Sequence, residues 1–377
     1  MRIYLDNAAT SWRKPVSVYK ELMYKTIFSG VNPGRGTYKE SVDAVGAILD
    51  TQEAIAELFN IEDASCIAFF PNATYALNTA ISGYVNRGEH IVISGIEHNS
   101  VLRPVFRLGN FSIAEADKDG NVSPESIESA IKDETKLVVI SHASNVCGSV
   151  QPISDIIKIA HEMGVRVLVD VAQSAGVLEI DAEKTGADMI AFSGHKGLMG
   201  PLGTGGLFVR DGVSLTPLVV GGTGSMSESF SQPEVMPDML HSGTLNFPAI
   251  CGLKKGVEFV GKRQKEIFEK EKSLAIAFID GILNIDGIKV YGNIADRRNG
   301  TVAFNLEKSD CITVAEKLST EFNIKVRAGF HCAPLAHRTL GTSKTGCIRA
   351  SFGYFNNRGD VKKILNAVNK IKKMGYN

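Results

Sequence analysis

The sequence lacks the features that mark several large classes of protein. It has no run of about 18 apolar residues, the length that a membrane-spanning helix needs. Its first residues, MRIYLDNAATS, lack the basic and then apolar stretches of a secretory signal. Lys plus Arg and Asp plus Glu both number 41, so no basic excess points to nucleic acid or an anionic membrane. We therefore expect a cytoplasmic protein with a small-molecule ligand and with neither a nucleic-acid nor a membrane partner.

Cysteine is scarce, and none of the six cysteines forms a CxxC pair. This absence argues against a zinc ribbon and against a disulfide framework. His331 and Cys332 are adjacent but have no partners at zinc-ligand spacing, so no metal is predicted. The length of 377 residues, with 44% hydrophobic and 22% charged residues, indicates a globular protein of about two domains. The cysteines are expected to be reduced, which leaves open whether one is reactive.

Short apolar runs alternate with helical patterns from about residue 66 to 210, which is typical of βα units. The pattern predicts an α/β fold with a mostly parallel sheet and helices on both faces. The expected strands are 66–70, 90–94, 136–141, 165–170 and 188–193, and helices are expected to start near Asn72, Ser123 and Ser154.

After about residue 250 the pattern changes to a long charged helical stretch at 252–283, followed by alternating strands and helices. This order predicts a smaller α+β domain. The expected division is an N-terminal segment at 1–15, a large domain at 16–250 and a small domain at 251–377. Glycine is dense at 197–225, which suggests backbone that passes tightly around a site.

Two residues stand where neighbouring strands of the predicted sheet end. Asp170 ends one strand, and Lys196 follows the next. The carboxyl ends of parallel strands meet at one edge, so both side chains are expected in one crevice. A lysine there can form a Schiff base with an aldehyde cofactor, and a buried carboxylate can keep a pyridine nitrogen protonated. An isolated Asp and Lys are more often a loop residue and a solvated charge, so the prediction depends on further residues.

Two other segments point to the same crevice. The turn Asn72-Ala73-Thr74 leads from a strand into a helix, whose free N–H groups suit a phosphate. His98 follows another strand and could stack on a cofactor ring, although a lone histidine there is more often a structural hydrogen-bonder.

Taken together, the motifs resemble the class V aminotransferase family of pyridoxal-phosphate (PLP) enzymes, in particular its cysteine desulfurases and selenocysteine lyases. The resemblance runs from residue 4 to about residue 356. Its motifs are YLDNAATS, EHNS, SHASNVCG, VLVDVAQS, SGHKGLMGP, SGTLN and VRAGFHCAP. It implies the type I fold of PLP-dependent transferases, with PLP as cofactor and the large domain as the site of PLP binding and dimer contacts.

The resemblance also implies a role for each matching residue. Lys196 would carry the Schiff base and move the Cα proton, Asp170 would pair with the pyridine nitrogen, and His98 would stack on the ring. The remaining cofactor contacts would come from Gln173 to the ring oxygen and from a phosphate group of residues, Ala73, Thr74, Ser193 and His195. Thr244 of SGTLN would reach the phosphate of a partner subunit, which implies a homodimer.

The substrate contacts are expected on three other residues. Arg349 resembles the arginine that binds the substrate α-carboxylate, because its planar fork suits a carboxylate. Its alternative is a surface charge, but the apolar Cys347-Ile348 before it favours a strand that faces the cleft. Asn145 would add a hydrogen bond, and Arg35 would either reach the site or fix a turn.

Cys332 decides the reaction that the resemblance implies. In desulfurases a cysteine thiolate attacks the sulfur of the bound substrate and becomes a persulfide, and alanine is released. Arg327 and His331 are near enough in sequence to favour a thiolate, whereas the alternative for Cys332 is a small buried apolar residue. The short segment RAGFHCAP resembles the subgroup with a compact cysteine loop, although Phe330 stands where that subgroup usually has histidine.

The leading prediction is a PLP-dependent cysteine desulfurase that passes sulfur to an acceptor protein, with selenocysteine as an alternative substrate. The alternatives are a class V aminotransferase or another PLP lyase acting on a small amino acid, and a non-enzymatic sulfur carrier or interaction protein on this fold. The residues of the cofactor site alone do not separate these, because the cofactor breaks the bonds and the protein selects which one.

Overall fold

Thirteen strands run through the described residues, which are 2–34, 36–292 and 298–375 of a computed structural model. They are β1 (Ile3–Tyr4), β2 (Ile67–Phe70), β3 (His90–Ser94), β4 (Phe111–Ala114), β5 (Thr135–Ser141), β6 (Arg166–Asp170), β7 (Met189–Ser193), β8 (Gly205–Val209), β9 (Ile288–Tyr291), β10 (Thr301–Leu306), β11 (Ile324–Lys325), β12 (Arg327–Gly329) and β13 (Cys347–Ser351).

The same residues form twelve α-helices. They are α1 (Val16–Phe28), α2 (Lys39–Phe59), α3 (Ala73–Tyr84), α4 (Asn99–Leu108), α5 (Pro124–Ala130), α6 (Ile153–Glu162), α7 (Ala182–Thr185), α8 (Phe247–Gly261), α9 (Gln264–Ile282), α10 (Cys311–Thr320), α11 (Pro334–Thr339) and α12 (Arg358–Met374). No helix of the described ranges is both long and apolar enough to cross a membrane.

A seven-stranded sheet in the order β2-β8-β7-β6-β5-β3-β4 lies at the centre. The pairs from β7 through β6, β5 and β3 to β4 are parallel, whereas β8 is antiparallel to both β7 and β2. The carboxyl ends of β3, β5, β6 and β7 therefore meet at one edge of the sheet, as the predicted crevice requires.

Hydrophobic cores cover both faces of this sheet because its buried strands alternate their side chains. Along β5, Val138 and Ile140 lie in one core, while Leu137 and Val139 lie in the core on the other face. A third core lies between a four-stranded sheet, β12-β13-β10-β9, and the helices α9, α10 and α12. The predicted α/β architecture, mostly parallel and covered by helices on both faces, is confirmed.

Side chains that cap helices explain several of the boundaries. Asn72 accepts a hydrogen bond from the N–H of Tyr75 and starts α3, and Ser123 caps α5 with proline at its first turn. Both starts were predicted. The helix expected at Ser154 instead begins at Ile153. The stretch 252–283, predicted as one helix, is two helices that meet at Lys262 and Arg263.

The N-terminal segment belongs to the third core, since β1 pairs in parallel with β11 and its Ile3 packs there. Helix α8 continues across residue 250, and its Val257 still packs in a core of the large sheet, whereas Leu274 of α9 packs in the third core. The division at residue 250 stays a prediction.

Candidate active site

A cavity of about 240 Å³ opens at the carboxyl edge of the large sheet. It brings together nine of the residues predicted for the site: Ala73, Thr74, His98, Asn145, Asp170, Gln173, Ser193, His195 and Lys196. The other lining residues are Asn72, Leu77, Ser100, Ser141, Ala143 and Ala172. The sheet topology thus collects side chains that lie far apart in the sequence.

Asp170 stands at the end of β6 and is 7% exposed. Its Oδ1 accepts a hydrogen bond of 2.8 Å from the N–H of Ala172, which fixes the carboxyl group. Burial raises the pKa of Asp170, while the Ala172 amide and the Lys196 ammonium favour the charged form. A buried carboxyl held in this way is suited to pair with a protonated ring nitrogen.

Lys196 follows β7 and lies in the same cavity. Burial is the largest cause that lowers the pKa of Lys196 to about 8; the charges of Arg349 and Arg327 act in the same direction, and Asp170 and Cys332 oppose them. A neutral amine, the form that attacks an aldehyde, therefore makes up about a tenth of the population at pH 7.

This lowered pKa predicts how cofactor uptake depends on pH. Compared with an ordinary lysine, whose pKa is 10.5, a pKa of about 8 raises the neutral fraction at pH 7 by about 300-fold. In protein stripped of cofactor, the rate of PLP attachment should rise with pH up to about 8 and then level off, because the amine is neutral above its pKa. Stopped-flow absorbance measures this rate. A rate that still rose through pH 10 would contradict the lowered pKa.

The turn before α3 has the features of a phosphate site. Gly205 of β8 lies so close that a Cβ there would be 2.8 Å from the Cα of Asn72, so one part of the glycine-rich stretch does pass tightly around the site. Thr74 Oγ1 is 2.7 Å from Ser100 Oγ, which joins the turn to α4. The Nδ1 atom of His195 is buried and has no hydrogen-bond partner among the described residues.

That unpaired nitrogen is a test of whether PLP fits this cavity. A buried polar group without a partner costs about 1–3 kcal/mol, and an acceptor in the cavity would remove the cost. Two helix N-termini, a lysine with a lowered pKa and a buried carboxyl stand around the same space. The residues present therefore fit a phosphorylated pyridine aldehyde.

His98 caps α4, and its ring is held by Ser100. The ring Nδ1 accepts from the Ser100 N–H at 3.1 Å and lies 2.9 Å from Ser100 Oγ. Burial, followed by the charge of Lys196, lowers the pKa of His98 to about 4, so the imidazole is neutral. Gln173 donates from Nε2 to the carbonyl of Ala8 at 2.9 Å, which anchors its amide at the cavity.

Glu97 is a buried carboxyl that the sequence reasoning missed. It accepts hydrogen bonds from Ser94 Oγ at 2.5 Å, from the Ser141 N–H at 2.8 Å and from Ser141 Oγ at 2.6 Å. Burial raises its pKa to about 7. Glu97 thus ties the ends of β3 and β5 together and fixes the backbone that carries His98; its place in EHNS, beside a predicted site residue, was the available signal.

Arg349 lies on β13 and is 1% exposed. Its Nη1 donates to the Asn145 carbonyl at 2.9 Å and its Nη2 to Asp6 Oδ1 at 2.6 Å, while its Nε has no partner among the described residues. Burial lowers the pKa of Arg349, and Asp6 favours the charged form. The alternative of a surface charge is wrong because Arg349 is buried, and its place in a strand that faces the cleft stays a prediction. Asp6, part of YLDNAATS, is a neighbour to which no role was given.

Cys332 is exposed, and its loop is held in an unusual backbone conformation. His331 and Cys332 have φ values of 48° and 57°, in the left-handed region, which costs about 1–3 kcal/mol for each non-glycine residue. The Cys332 carbonyl accepts from the Asn99 N–H at 2.7 Å, and the His331 carbonyl accepts from Asn145 Nδ2 at 2.8 Å. These bonds join the loop to residues that line or border the cavity.

A guanidinium group, and not a histidine, supplies the positive charge beside Cys332. Arg327 Nη2 donates to Cys332 Sγ at 3.3 Å, so a cation contacts the sulfur directly. The expectation that His331 would help is wrong: burial, followed by the charge of Arg349, lowers the pKa of His331 to about 2, so its ring stays neutral. The interpretation of Cys332 as a small buried residue is also wrong.

Three described residues that were predicted for the site do not line the cavity in this chain, namely Thr244, Arg349 and Cys332. Thr244 lines separate cavities, one of which also includes Gly34 and Gly222. Arg35 lies outside the described residues.

Comparisons with known proteins agree with the fold. The class-V aminotransferase family matches residues 3–364. A probable cysteine desulfurase of Methanothermobacter thermautotrophicus is 33% identical over 99% of this chain and 95% of its own. The apo structure of a cysteine desulfurase from Thermococcus onnurineus is 30% identical, covers 99% of this chain and 95% of its own, and has a TM-score of 0.92. A cysteine desulfurase of Escherichia coli, in a form with S-sulfonic acid, has a TM-score of 0.88 at 26% identity and covers 100% of this chain and 96% of its own.

The sheet order, the carboxyl-edge cavity and the similar solved structures define the type I fold of PLP-dependent enzymes. Within that class, the chain belongs to the class-V aminotransferase family.

Proposed function

We propose that this protein is a PLP-dependent cysteine desulfurase that converts L-cysteine to L-alanine and takes the sulfur onto Cys332 as a persulfide. The observation that carries the proposal is an exposed cysteine with a guanidinium nitrogen 3.3 Å from its sulfur, in a loop hydrogen-bonded to the rim of the lysine cavity. The similar proteins named above carry the same activity in their names.

Asp170 and Lys196 would hold PLP, which would supply an electron sink for bonds to the substrate Cα. Lys196 Nζ takes a proton from that carbon and later returns one, which its lowered pKa permits near neutral pH. His98, a neutral imidazole, would stack on the cofactor ring. The buried carboxyl of Asp170 would keep a proton on the ring nitrogen.

Arg349 would bind the substrate, and Cys332 would determine which product forms. The unpartnered Nε of Arg349 is free to donate to the substrate carboxylate, and Asn145 stands beside it. The Cys332 thiolate attacks the substrate sulfur, so an S–S bond forms as the substrate's C–S bond breaks. The electrons of the C–S bond stay with the alanine carbon, which takes a proton, and no outside oxidant or reductant is needed.

Incubation of the purified holoenzyme with L-cysteine tests the function. We expect L-alanine as the amino-acid product and, on intact-protein mass spectrometry, one added sulfur atom that maps to Cys332. Pyridoxamine phosphate together with a keto acid would instead identify an aminotransferase, and a colourless protein unable to take up PLP would favour a non-enzymatic role. Comparison of L-cysteine with L-selenocysteine decides between the two substrates.

Substitution of Arg349 by lysine should raise KM for L-cysteine by about 10- to 150-fold with a smaller effect on kcat. The reason is that a hydrogen bond to a charged group contributes about 1.5–3 kcal/mol and lysine has no counterpart of the unpartnered Nε–H. Steady-state sulfide release measures the change, and the visible absorbance of bound PLP should remain. The matched control is Arg338→Lys, which alters an exposed pair with Glu115 at 2.7 Å. An unchanged KM in Arg349→Lys would remove this residue from the substrate site.

A homodimer is part of the proposal, because Thr244 does not line the cavity of its own chain and helix α1 exposes apolar side chains. Those side chains are Met23, Tyr24, Ile27 and Phe28. Sedimentation equilibrium of the holoenzyme measures the state, and a monomer at micromolar concentration would contradict it. A cytoplasmic location and a sulfur-acceptor protein complete the proposal; all six thiols are free, and Cys332 is accessible to an acceptor.

A further inference from the structure

Three buried side chains with metal-ligand chemistry meet directly beneath the cysteine loop. His331, His337 and Cys347 are 2%, 0% and 0% exposed, and their ligand atoms all lie within 4.8 Å of one another. The catalytic roles proposed above use none of these side chains. They come from the cysteine loop, from α11 and from β13, so only the fold brings them together.

The spacing of these atoms is close to that of a tetrahedral zinc site. Bonds of about 2.0–2.1 Å to nitrogen and about 2.3 Å to sulfur place two nitrogens about 3.3 Å apart, and a nitrogen and a sulfur about 3.6 Å apart. His331 Nδ1 is 3.3 Å from His337 Nε2, and Cys347 Sγ is 3.9 Å from His331 Nδ1. The third pair, His337 Nε2 and Cys347 Sγ, lies within 4.8 Å, so these two atoms must approach by up to about 1.2 Å to meet on one ion.

The outer nitrogens of both histidines already have partners. His337 Nδ1 is 2.7 Å from Thr342 Oγ1, and His331 Nε2 is 3.5 Å from the Arg327 carbonyl. Histidines that bind a metal through one nitrogen usually hydrogen-bond through the other, which fixes the ring orientation. Here this arrangement aims the remaining two nitrogens at each other and at Cys347.

Two cations, Arg327 and Arg349, stand near the cluster, so an anionic ligand would help it to hold a metal ion. Arg327 and Arg349 influence His331 electrostatically, and Asp6 neutralises Arg349 at 2.6 Å. Burial raises the pKa of the Cys347 thiol, so the ion itself would have to displace the thiol proton, after which it would meet one thiolate and two neutral imidazoles. Soft thiolate and imidazole ligands favour zinc over magnesium, calcium or manganese.

We propose that His331, His337 and Cys347 form a binding site for one Zn²⁺ ion, with the fourth position open to a small ligand such as water. The ion ties β13 and α11 to the residue next to Cys332. Its binding does not depend on the proposed function, whereas any effect on sulfur transfer does. The separation of these ligands along the chain is outside the usual zinc patterns, which is why the sequence predicted no metal.

Zinc titration of the holoenzyme tests the site. After treatment with a chelator and reloading, we expect one Zn²⁺ per chain by elemental analysis. Co²⁺ in the same site should give the d–d absorption of a tetrahedral centre in the red, where PLP does not absorb. Cys347→Val keeps a small apolar side chain on the strand, and His337→Phe keeps an aromatic ring stacked on His331. Both variants should lose the bound zinc and the Co²⁺ absorption. Thr342→Val should weaken Zn²⁺ about 10- to 100-fold in a chelator competition.

Two other cysteine variants separate this site from ordinary thiol binding. Cys332→Ser removes the exposed thiol next to the cluster, and Cys311→Val removes a buried thiol whose Sγ bonds the Thr345 carbonyl at 3.2 Å. Both should keep one Zn²⁺ per chain. Uptake that disappears in either variant, or that persists in Cys347→Val with an unchanged circular dichroism spectrum, would overturn the assignment. The absence of stoichiometric zinc in the wild-type protein would also overturn it. Because these experiments measure metal content and not turnover, they remain interpretable even when the desulfurase proposal fails.

Discussion

The Cys332→Ala variant should lose sulfide release from L-cysteine by about 10³-fold or more while it retains bound PLP. The Cys332 thiolate is the group that takes the sulfur atom. His331 cannot replace it, and neither can the other five cysteines, because Cys332 is the only exposed thiol among the described residues. Sulfide assay with a reductant and intact-protein mass spectrometry measure the loss. The added sulfur of the wild-type protein should be absent from the variant.

The matched control for this variant is Cys66→Ala. Cys66 is partly buried and burial raises its pKa, so it keeps its proton and takes no sulfur. Wild-type rates are expected from this control. Full sulfide release by Cys332→Ala would show that sulfur leaves the substrate without a persulfide on the enzyme, and the protein would then be another kind of PLP lyase.

Replacement of Lys196 by alanine should abolish turnover and the visible absorbance of covalently bound PLP. Its amine is the only one that lines the cavity among the described residues, and no other side chain there has both a neutral amine and access to the substrate Cα. Absorbance spectra after reconstitution, together with mass spectrometry after borohydride reduction, locate the attachment.

A nearby lysine makes this second test sharper. Lys14 Nζ donates to the His195 carbonyl at 2.9 Å, and burial lowers its pKa to about 8 as well. Borohydride should trap the cofactor on Lys196 in the wild-type protein and in Lys14→Met. A Lys196→Ala protein that stayed yellow, with the cofactor trapped on Lys14, would reassign the attachment site.

Much of the fold and of the cavity could be predicted because local patterns determine them. Apolar runs give the buried strands, and parallel pairing brings Asp170 and Lys196 to one edge. Strand β8 was not predicted because its glycines carry no alternation, and the break between α8 and α9 was missed because the helical pattern continues through Lys262. In both cases packing between distant segments decides the structure.

Contacts between distant segments were also beyond the sequence reasoning at the site. The pairing of Asp6 with Arg349 joins residues at opposite ends of the chain, 343 positions apart. The uncharged state of His331 follows from burial that only the folded chain creates. Of the two sequence neighbours expected beside Cys332, Arg327 contacts the sulfur and His331 carries no charge, a difference that only the folded chain shows.

The way the cysteine loop is anchored determines how sulfur can leave the protein. Strands β12 and β13, on either side of the loop, pack with the third core. The residues that directly follow the loop pack instead with the large sheet, through Ala333, Ala336 and Leu340. In addition, Thr339 Oγ1 donates to the Gly95 carbonyl at 2.8 Å. On the proposed function, these contacts keep the Cys332 sulfur with the large sheet, so a sulfur acceptor would have to approach it there.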